Sequence, residues 1–188
     1  MMKEKNVKNT SKFLSLILRH SPETIGLNLD TNGWAAVDEL LLKMANHKHI
    51  LSMEELFEIV ETNDKKRFIF SEDRLKIRAN QGHSIAIDLD LRSQIPPEKL
   101  YHGTVQKYLA NIKIEGLKKM SRQHVHLSKD VETATKVGSR RGEAIILTID
   151  TKSMHENGLI FFQSENGVWL TDHVPAQYID FNIYKSHG

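Results

Sequence analysis

The segment SKFLSLILRHSPETIGLNLD, residues 11–30, decides how the first half of this chain folds. Its apolar side chains recur with helical spacing, which predicts a helix with one buried face. Pro22 disfavours helix at the residue before it, so Arg19 and His20 are expected at or near the helix end, on a platform held by the core. A charged pair there is a candidate anion-binding feature, although cations also interact favourably with the C-terminal dipole of a helix.

Composition sets the broad class of the protein. The chain has 188 residues, 39% of them hydrophobic, and 26 Lys and Arg against 24 Asp and Glu. A net charge of +2 is too small to indicate a nucleic-acid binder by itself. The absence of cysteine excludes disulfides, thiolate zinc sites and cysteine nucleophiles. Because no apolar run approaches the roughly 20 residues of a membrane helix, we expect a cytoplasmic protein that does not enter a membrane.

The first half is expected to contain three helices followed by paired strands. Ser52 and Glu55 have capping-box spacing before an apolar run. The stretches KKRFIF and RLKIRA alternate charged and apolar residues, as paired strands do. This order is typical of a helical nucleic-acid-binding module that carries a β-hairpin wing. Residues 85–98, with Pro96-Pro97, are expected to form a stiff linker.

The second half predicts an α+β unit. Strands are expected at LYHGT, HVHLS, EAIILTID, LIFFQ and VWL, with two helical stretches between them. Thr104 is a candidate cap for the first of these helices, and Asp130 for the second, which Gly138 would terminate. Trp34 and Trp169 each lie beside a glycine and are expected to be core residues.

Four short clusters combine cations with histidine or amide side chains. Arginine stays charged and binds phosphate with a planar fork, so several arginines from different segments would suit a phosphate dianion. Taken singly, each cluster is more often a solvated surface. The clusters are Arg19-His20, KKRF with Arg67, IRANQGHS over residues 77–84, and SRQHVHLS over residues 121–128.

The HVHLS stretch places His124 and His126 on one face of a strand by period-two alternation. Zinc requires at least three protein ligands, and no third ligand stands at a recognisable spacing, so we expect no metal site. The chain also contains neither GxxxxGK[ST] nor GxGxxG, which argues against nucleoside triphosphate hydrolysis and a Rossmann cofactor site.

Taken in order, these blocks resemble the RNA 2′-phosphotransferases, NAD-dependent enzymes that remove a splice-junction 2′-phosphate from tRNA. The resemblance covers roughly residues 10–180. Its blocks are SKFLSLILRHSPETIGLNLDTNGW, KKRF, IRANQGHS, LYHGT, HVHLS, VGSRRG and NGVWL. It implies an α+β protein with a winged-helix RNA-binding lobe at residues 1–92 and an ADP-ribosyltransferase-like, NAD-binding lobe at residues 93–188.

The implied reaction has two steps and uses NAD as a consumed co-substrate, without a metal. The RNA 2′-phosphate displaces nicotinamide, giving an RNA-phospho-ADP-ribose intermediate, and transesterification then releases ADP-ribose 1″,2″-cyclic phosphate and a plain RNA 2′-hydroxyl. The implied partner is a tRNA-like RNA carrying a 2′-phosphate, and the protein is expected to be a monomer.

The resemblance also implies roles for individual residues. Its essential Arg-His-Arg-Arg set maps onto Arg19, His20, Arg67 and Arg122. Arg78 is a less favoured occupant of the role given to Arg67. The residues expected to bind NAD are His102, Gly103, Thr104, His126, Ser128, Gly138, Arg140, Arg141 and Val168. Those expected to contact either phosphate or NAD are Asn80, Gln81, His83 and Ser84.

Val168 stands where many ADP-ribosyltransferases carry a glutamate. An apolar residue at this position agrees with the resemblance, because a carboxylate would repel an incoming phosphate dianion. Two other functions stay open from the sequence. One is an ADP-ribosyltransferase that stops after the first step, and the other is a non-catalytic nucleic-acid binder whose second lobe only senses NAD.

Overall fold

The computed structural model describes residues 4–63 and 65–181. The chain divides into two compact units, residues 1–90 and 91–188, and each is described by itself. Both contain helices and small antiparallel sheets, so the predicted α+β class is confirmed. None of the helices in the described ranges combines the length and apolarity that a bilayer crossing requires.

Within residues 4–63 and 65–90, the first unit contains three helices, one three-stranded sheet and a 3-10 turn at Pro22–Ile25. The sheet is antiparallel and has the order β1-β3-β2. The helices are α1 (Glu4–Arg19), α2 (Val37–Asn46) and α3 (Met53–Glu61), and the strands are β1 (Ala35–Ala36), β2 (Phe68–Phe70) and β3 (Lys76–Ala79).

The apolar face of α1 explains why this unit holds together. Leu14, Ile17 and Leu18 are fully buried and follow helical spacing. They belong to the same core as residues of α2, α3 and the sheet, among them Leu40 and Ile77. Burial of a large aliphatic side chain is worth roughly 1.5–3 kcal/mol, so the position of α1 is firmly set. The predicted helix end is confirmed, since Arg19 is its last residue.

The start of α3 confirms the predicted capping box. The Ser52 hydroxyl accepts a hydrogen bond from the Glu55 backbone, and the Glu55 carboxylate accepts one from the Ser52 backbone. Together the two contacts satisfy two of the amide groups that a helix start otherwise leaves unpaired. The predicted pairing of the two following strands is also confirmed, with Ile69 opposite Arg78.

As far as residue 181, where the described part of the chain ends, the second unit contains three helices and three small sheets, of order β11-β7-β4, β6-β9-β8 and β10-β5. Short 3-10 turns occur at Gln106–Tyr108, Ser139–Arg141 and Ala176–Tyr178. The helices are α4 (Leu109–Glu115), α5 (Val131–Gly138) and α6 (Thr151–Glu156). The strands are β4 (Lys99–Thr104), β5 (Leu117–Lys118), β6 (Val125–Leu127), β7 (Ile145–Asp150), β8 (Phe162–Gln163), β9 (Trp169–Thr171), β10 (His173–Val174) and β11 (Ile179–Asp180).

Two local predictions need correction, the helix cap at Thr104 and the core position of Trp34 in the first unit. Thr104 does not cap a helix, because it is the last residue of β4 and a 3-10 turn separates it from α4. Helix α5 ends at Gly138 as predicted, although the residue keeps a helical φ of −62° and the chain continues into the next 3-10 turn. The cap at Asp130 is confirmed by a hydrogen bond from the Thr133 backbone. Trp169 is a core residue, whereas Trp34 lies outside the buried core.

Replacement of Ser52 by alanine is expected to lower the free energy of unfolding of the first unit by about 1 kcal/mol, because the cap of α3 loses its acceptor. Trp34 lies in the first unit and Trp169 in the second, so urea unfolding followed by Trp34 fluorescence in a Trp169→Phe background reports on the first unit. Ser52→Thr keeps the hydroxyl and should retain most of the stability. Equal losses in the two variants would contradict the capping role.

Candidate active site

The Arg19-His20 pair is held in place by chain segments that are distant in sequence. The guanidinium of Arg19 donates to the backbone carbonyl of Arg67 at 3.3 Å. The backbone amide of Ser84 donates to the carbonyl of Arg19 at 2.9 Å. The Ser84 hydroxyl lies 2.9 Å from Nδ1 of the His20 ring. The end of α1, the start of β2 and the loop after β3 therefore meet around this pair.

Arg67 and Asn80 complete this part of the first unit. The Arg67 guanidinium donates to the side-chain oxygen of Asn63 at 3.3 Å. The backbone amide of Asn80 donates to the Arg67 carbonyl at 2.9 Å, and its side-chain amide donates to the Lys66 carbonyl at 2.6 Å. Asn80 is buried, so it fixes the backbone on which Arg67 stands. Asn80 therefore has a structural role that differs from the contact with phosphate or NAD predicted for it from the sequence.

Arg78 takes a different position from Arg67. Its guanidinium carbon lies 4.5 Å from the ring centroid of Trp34, which is a cation–π contact. A nitrogen of the same guanidinium donates to the Asn32 carbonyl at 3.5 Å. Arg67, by contrast, contacts Arg19 through its backbone carbonyl. The charge of Arg78, like that of Arg19, acts on the neighbouring His83.

His83 lies buried among these cations, with 1% of its surface exposed. Burial lowers its pKa to about 4, and the positive charges of Arg19, His20 and Arg78 act in the same direction. Neither of its ring nitrogens makes a hydrogen bond to another described residue. The imidazole is therefore neutral at neutral pH, and the positive charge of the group rests on the arginines.

We define the first cluster as the side chains that meet at the end of α1 and the loop after β3. The arginines give this partly exposed group a positive charge, which suits an oxyanion with several acceptor oxygens. Its members from the predicted set are Arg19, His20, Arg67, Asn80, His83 and Ser84, together with Arg78, whose charge acts on His83. Gln81 is half-buried, and its side-chain oxygen makes no hydrogen bond to another described residue.

The remaining predicted residues lie in the second unit, where a backbone pair joins β4 to the end of β6. Tyr101 and Ser128 exchange two backbone hydrogen bonds of 2.8 Å. Next to them, Nδ1 of His102 lies 3.1 Å from the carbonyl of His126 and must donate to it, because a carbonyl only accepts. In neutral His102 the other ring nitrogen, Nε2, therefore carries a lone pair. Burial lowers the pKa of His102 and so favours the neutral ring.

Arg122 joins this group through His126. Its guanidinium lies 3.4 Å from Nδ1 of His126, which must accept because arginine only donates. Partial burial, together with the positive charges of Arg141 and Arg140, lowers the pKa of Arg122, although a guanidinium stays charged. Three neighbouring guanidinium groups repel one another unless an anion lies between them. We call His102, His126, Arg122, Arg140 and Arg141 the second cluster.

Gly103 and Gly138 have a packing role. A side chain at Gly103 would overlap the backbone carbonyl of Ala134 in α5. A Cβ at Gly138 would lie 3.1 Å from the carbonyl carbon of Gly103. Helix α5 therefore packs backbone to backbone on β4, and this contact places the turn that carries Arg140 and Arg141.

The last two predicted residues of this unit have different surroundings. Thr104 is buried at the end of β4. Val168 is half-buried and stands just before β9, where its backbone closes a hairpin turn with Ser164 at 2.9 Å. The part of the chain that the structure describes holds no group of three or more metal-ligating side chains arranged to bind an ion.

Two residues near these clusters were missed by the sequence analysis. Asn63 orients Arg67, and Tyr108 lies beneath Lys107 and Arg141, whose cationic groups are 4.8 Å and 6.0 Å from its ring centroid. Asn63 follows a helix end and has no periodic signal. For Tyr108, the lysine directly before it in QKY could have indicated a contact between a cation and an aromatic ring.

Comparison with known proteins shows which family this chain belongs to. Residues 4–173 match the family described as RNA 2′-phosphotransferase, Tpt1 / KptA family. The chain belongs to this family. It is 59% identical over 180 residues to a protein of Flavobacterium johnsoniae named "Probable RNA 2′-phosphotransferase", covering 96% of this chain and 99% of the relative. Proteins of the same name from Acaryochloris marina and Rhodopirellula baltica are 54% and 52% identical, covering 93% and 96% of this chain and 97% and 99% of the relatives.

In this family member, His83 is expected to make stability depend on pH. The unfolded ring has a pKa of 6.5 and the folded ring a pKa of about 4, so the unfolded state binds more protons between these values. Stability therefore falls as the pH drops below 6.5, by about 2 kcal/mol from this residue between pH 7 and pH 5. Denaturant unfolding of the wild type and of His83→Gln at both pH values checks this. The wild-type decrease should exceed that of the variant; equal decreases would contradict it.

Gly103→Ala is expected to lower the free energy of unfolding by about 2–3 kcal/mol, because the added methyl group forces α5 away from β4. Gly158→Ala is the matched control, since its Cβ would meet nothing within 4 Å and only its φ of +86° opposes the change. The control should lose about 1 kcal/mol. Unchanged stability of Gly103→Ala would contradict the packing role of this glycine.

Proposed function

We propose that this protein removes an internal 2′-phosphate from RNA by transferring it to NAD, with release of nicotinamide. The main support is the first cluster, which gathers Arg19, His20 and Arg67 in a member of the RNA 2′-phosphotransferase family. The second cluster supports the NAD part of the proposal, because it provides guanidinium groups suited to a pyrophosphate.

The first cluster suits the chemistry of a phosphate monoester. Such a group is nearly dianionic at neutral pH and already nucleophilic, so it must be positioned rather than deprotonated. Arg19 and Arg67 would hold its oxygens with planar forks, and His20 would donate to it or carry a proton to the leaving oxygen. Because Arg19 and Arg67 are themselves fixed by backbone contacts, little reorganisation is needed when the phosphate binds.

In the first proposed step, an oxygen of the RNA 2′-phosphate forms a bond to the anomeric carbon of the nicotinamide ribose, and the bond to nicotinamide breaks. In the second, the ribose 2″-hydroxyl attacks the phosphorus of the RNA-phospho-ADP-ribose intermediate. The RNA 2′-oxygen leaves and takes up a proton, and ADP-ribose 1″,2″-cyclic phosphate is released. Negative charge increases on the phosphoryl oxygens in this step, where arginine contacts contribute most.

The second unit would bind NAD in this proposal. His102, with Nδ1 held by a carbonyl, presents a lone pair on Nε2 to which a ribose hydroxyl can donate. Arg122 carries positive charge beside His126, and Val168 adds no negative charge that would oppose a phosphate acceptor. The finer fold assignments belong to the same proposal: the three helices and β-hairpin of the first unit support a winged helix, and the small sheets of the second support an ADP-ribosyltransferase-like lobe.

Arg19→Ala and Arg67→Ala are expected to slow the second step more than the first, because charge builds up on the phosphoryl group mainly in the second step. The assay incubates protein with an RNA that carries a radiolabelled internal 2′-phosphate, with and without NAD, and resolves intermediate from cyclic product. The intermediate should accumulate in both variants. Arg74→Ala is the matched control, since Arg74 is an exposed arginine of the β2–β3 hairpin that packs on Phe57 of α3. This variant should turn over substrate at the normal rate.

Other outcomes of this assay would favour the alternatives. Accumulation of the intermediate by the wild type, without cyclic phosphate, would indicate an ADP-ribosyltransferase that stops after the first step. No NAD-dependent change of the RNA would contradict the proposal, and so would normal turnover by Arg122→Ala. Equal losses in both steps would reject the idea that one set of arginines holds the phosphate throughout.

A further inference from the structure

Ser84 makes two contacts with the Arg19-His20 pair. Its backbone amide donates to the Arg19 carbonyl at 2.9 Å, and its hydroxyl lies 2.9 Å from Nδ1 of His20. Arg19 ends α1, where helix carbonyls have no partner within the helix. A single residue from the loop after β3 therefore contacts both the backbone and the imidazole at this helix end.

The hydrogen-bond direction at His20 follows from the chemistry of the proposed ligand. A serine hydroxyl can either donate to Nδ1 or accept from it. A phosphate dianion, however, has only acceptor oxygens, so the ring nitrogen that meets it must carry a hydrogen. With Nδ1 engaged by Ser84, that nitrogen is Nε2. In the neutral ring the hydrogen then resides on Nε2, and Nδ1 accepts from the Ser84 hydroxyl.

We propose that Ser84 is a positioning residue that holds His20 in the Nε2–H tautomer and fixes the plane of its ring. The direction of this hydrogen bond rests on the proposed function, since it assumes that His20 meets a phosphate. The role differs from the direct contact with phosphate or NAD that the sequence predicted for Ser84, because here Ser84 acts through His20.

Both side chains are exposed, so the contact can form without the burial of a polar group. Without the hydroxyl, Nδ1 loses the donor that keeps it unprotonated, so a fraction of molecules carries the hydrogen on Nδ1 and presents no donor on Nε2 to the phosphate. Partners that orient a functional imidazole typically change activity by about 10- to 100-fold. The backbone contact between Ser84 and Arg19 survives substitution of the side chain, so Ser84→Ala tests the hydroxyl alone.

The first experiment reads the tautomer in the protein without ligand. Long-range ¹H–¹⁵N correlation spectra distinguish a protonated from an unprotonated ring nitrogen, and His20→Asn assigns the His20 signals. We expect Nε2–H in the wild type and a mixture of tautomers in Ser84→Ala. Ser84→Thr retains a hydroxyl and should restore the wild-type pattern. Ser21→Ala is the matched control, because this serine follows His20 directly and its side chain makes no capping hydrogen bond.

The second experiment is a double-mutant cycle of Ser84→Ala and His20→Ala, read as single-turnover release of cyclic phosphate with enzyme in excess. Ser84→Ala should slow the wild type about 10- to 100-fold and should have little further effect once His20 is absent. Thermal unfolding of Ser84→Ala should match the wild type. Full additivity of the two losses would show that Ser84 contacts the ligand itself and would overturn the inference.

The two readouts separate failure of this inference from failure of the proposed function. A hydrogen on Nδ1 in wild-type His20 overturns the inference whatever the activity. A wild type that shows the Nε2–H tautomer, loses it in Ser84→Ala and yet transfers no phosphate rejects the proposed function and leaves the positioning contact in place.

Discussion

The candidate site of the first unit depends on the way in which α1 is anchored. One face of this helix is buried through Leu14, Ile17 and Leu18, and its last carbonyl is paired with the amide of Ser84. The buried face sets the axis of the helix, and the backbone contact sets where it ends. Together these two constraints fix the positions of Arg19 and His20 beside the loop after β3. The chemistry of the site is thus coupled to the core by backbone atoms rather than by long side chains.

Both clusters place cationic side chains close to one another. In the first, His83 is kept neutral beside Arg19 and Arg78, and in the second, Arg122 stands near Arg140 and Arg141. Mutual repulsion of this kind raises the energy of the free protein and is relieved by an anion. An anionic ligand therefore gains more from each cluster than it would from the same charges spread over a surface.

Much of the local structure followed from short sequence patterns, and the failures have clear physical reasons. The end of α1 and the capping box at Ser52 were predictable because proline and capping residues act within one turn. Helix α6 and the strands β5, β10 and β11 were missed because the positions of such short elements are set by partners far along the chain. The contact of Ser84 with His20 spans 64 residues, and no local pattern encodes a pairing at that distance.

The glycine contact between α5 and β4 has a consequence for how this protein can diversify. Where two backbones touch directly, no side chain is available through which their separation could be adjusted in small increments. The turn that carries Arg140 and Arg141 is consequently as invariant in position as the sheet itself. Adaptation to a new ligand in this unit would have to occur by substitution of the residues on that turn, because the spacing between α5 and β4 can hardly change.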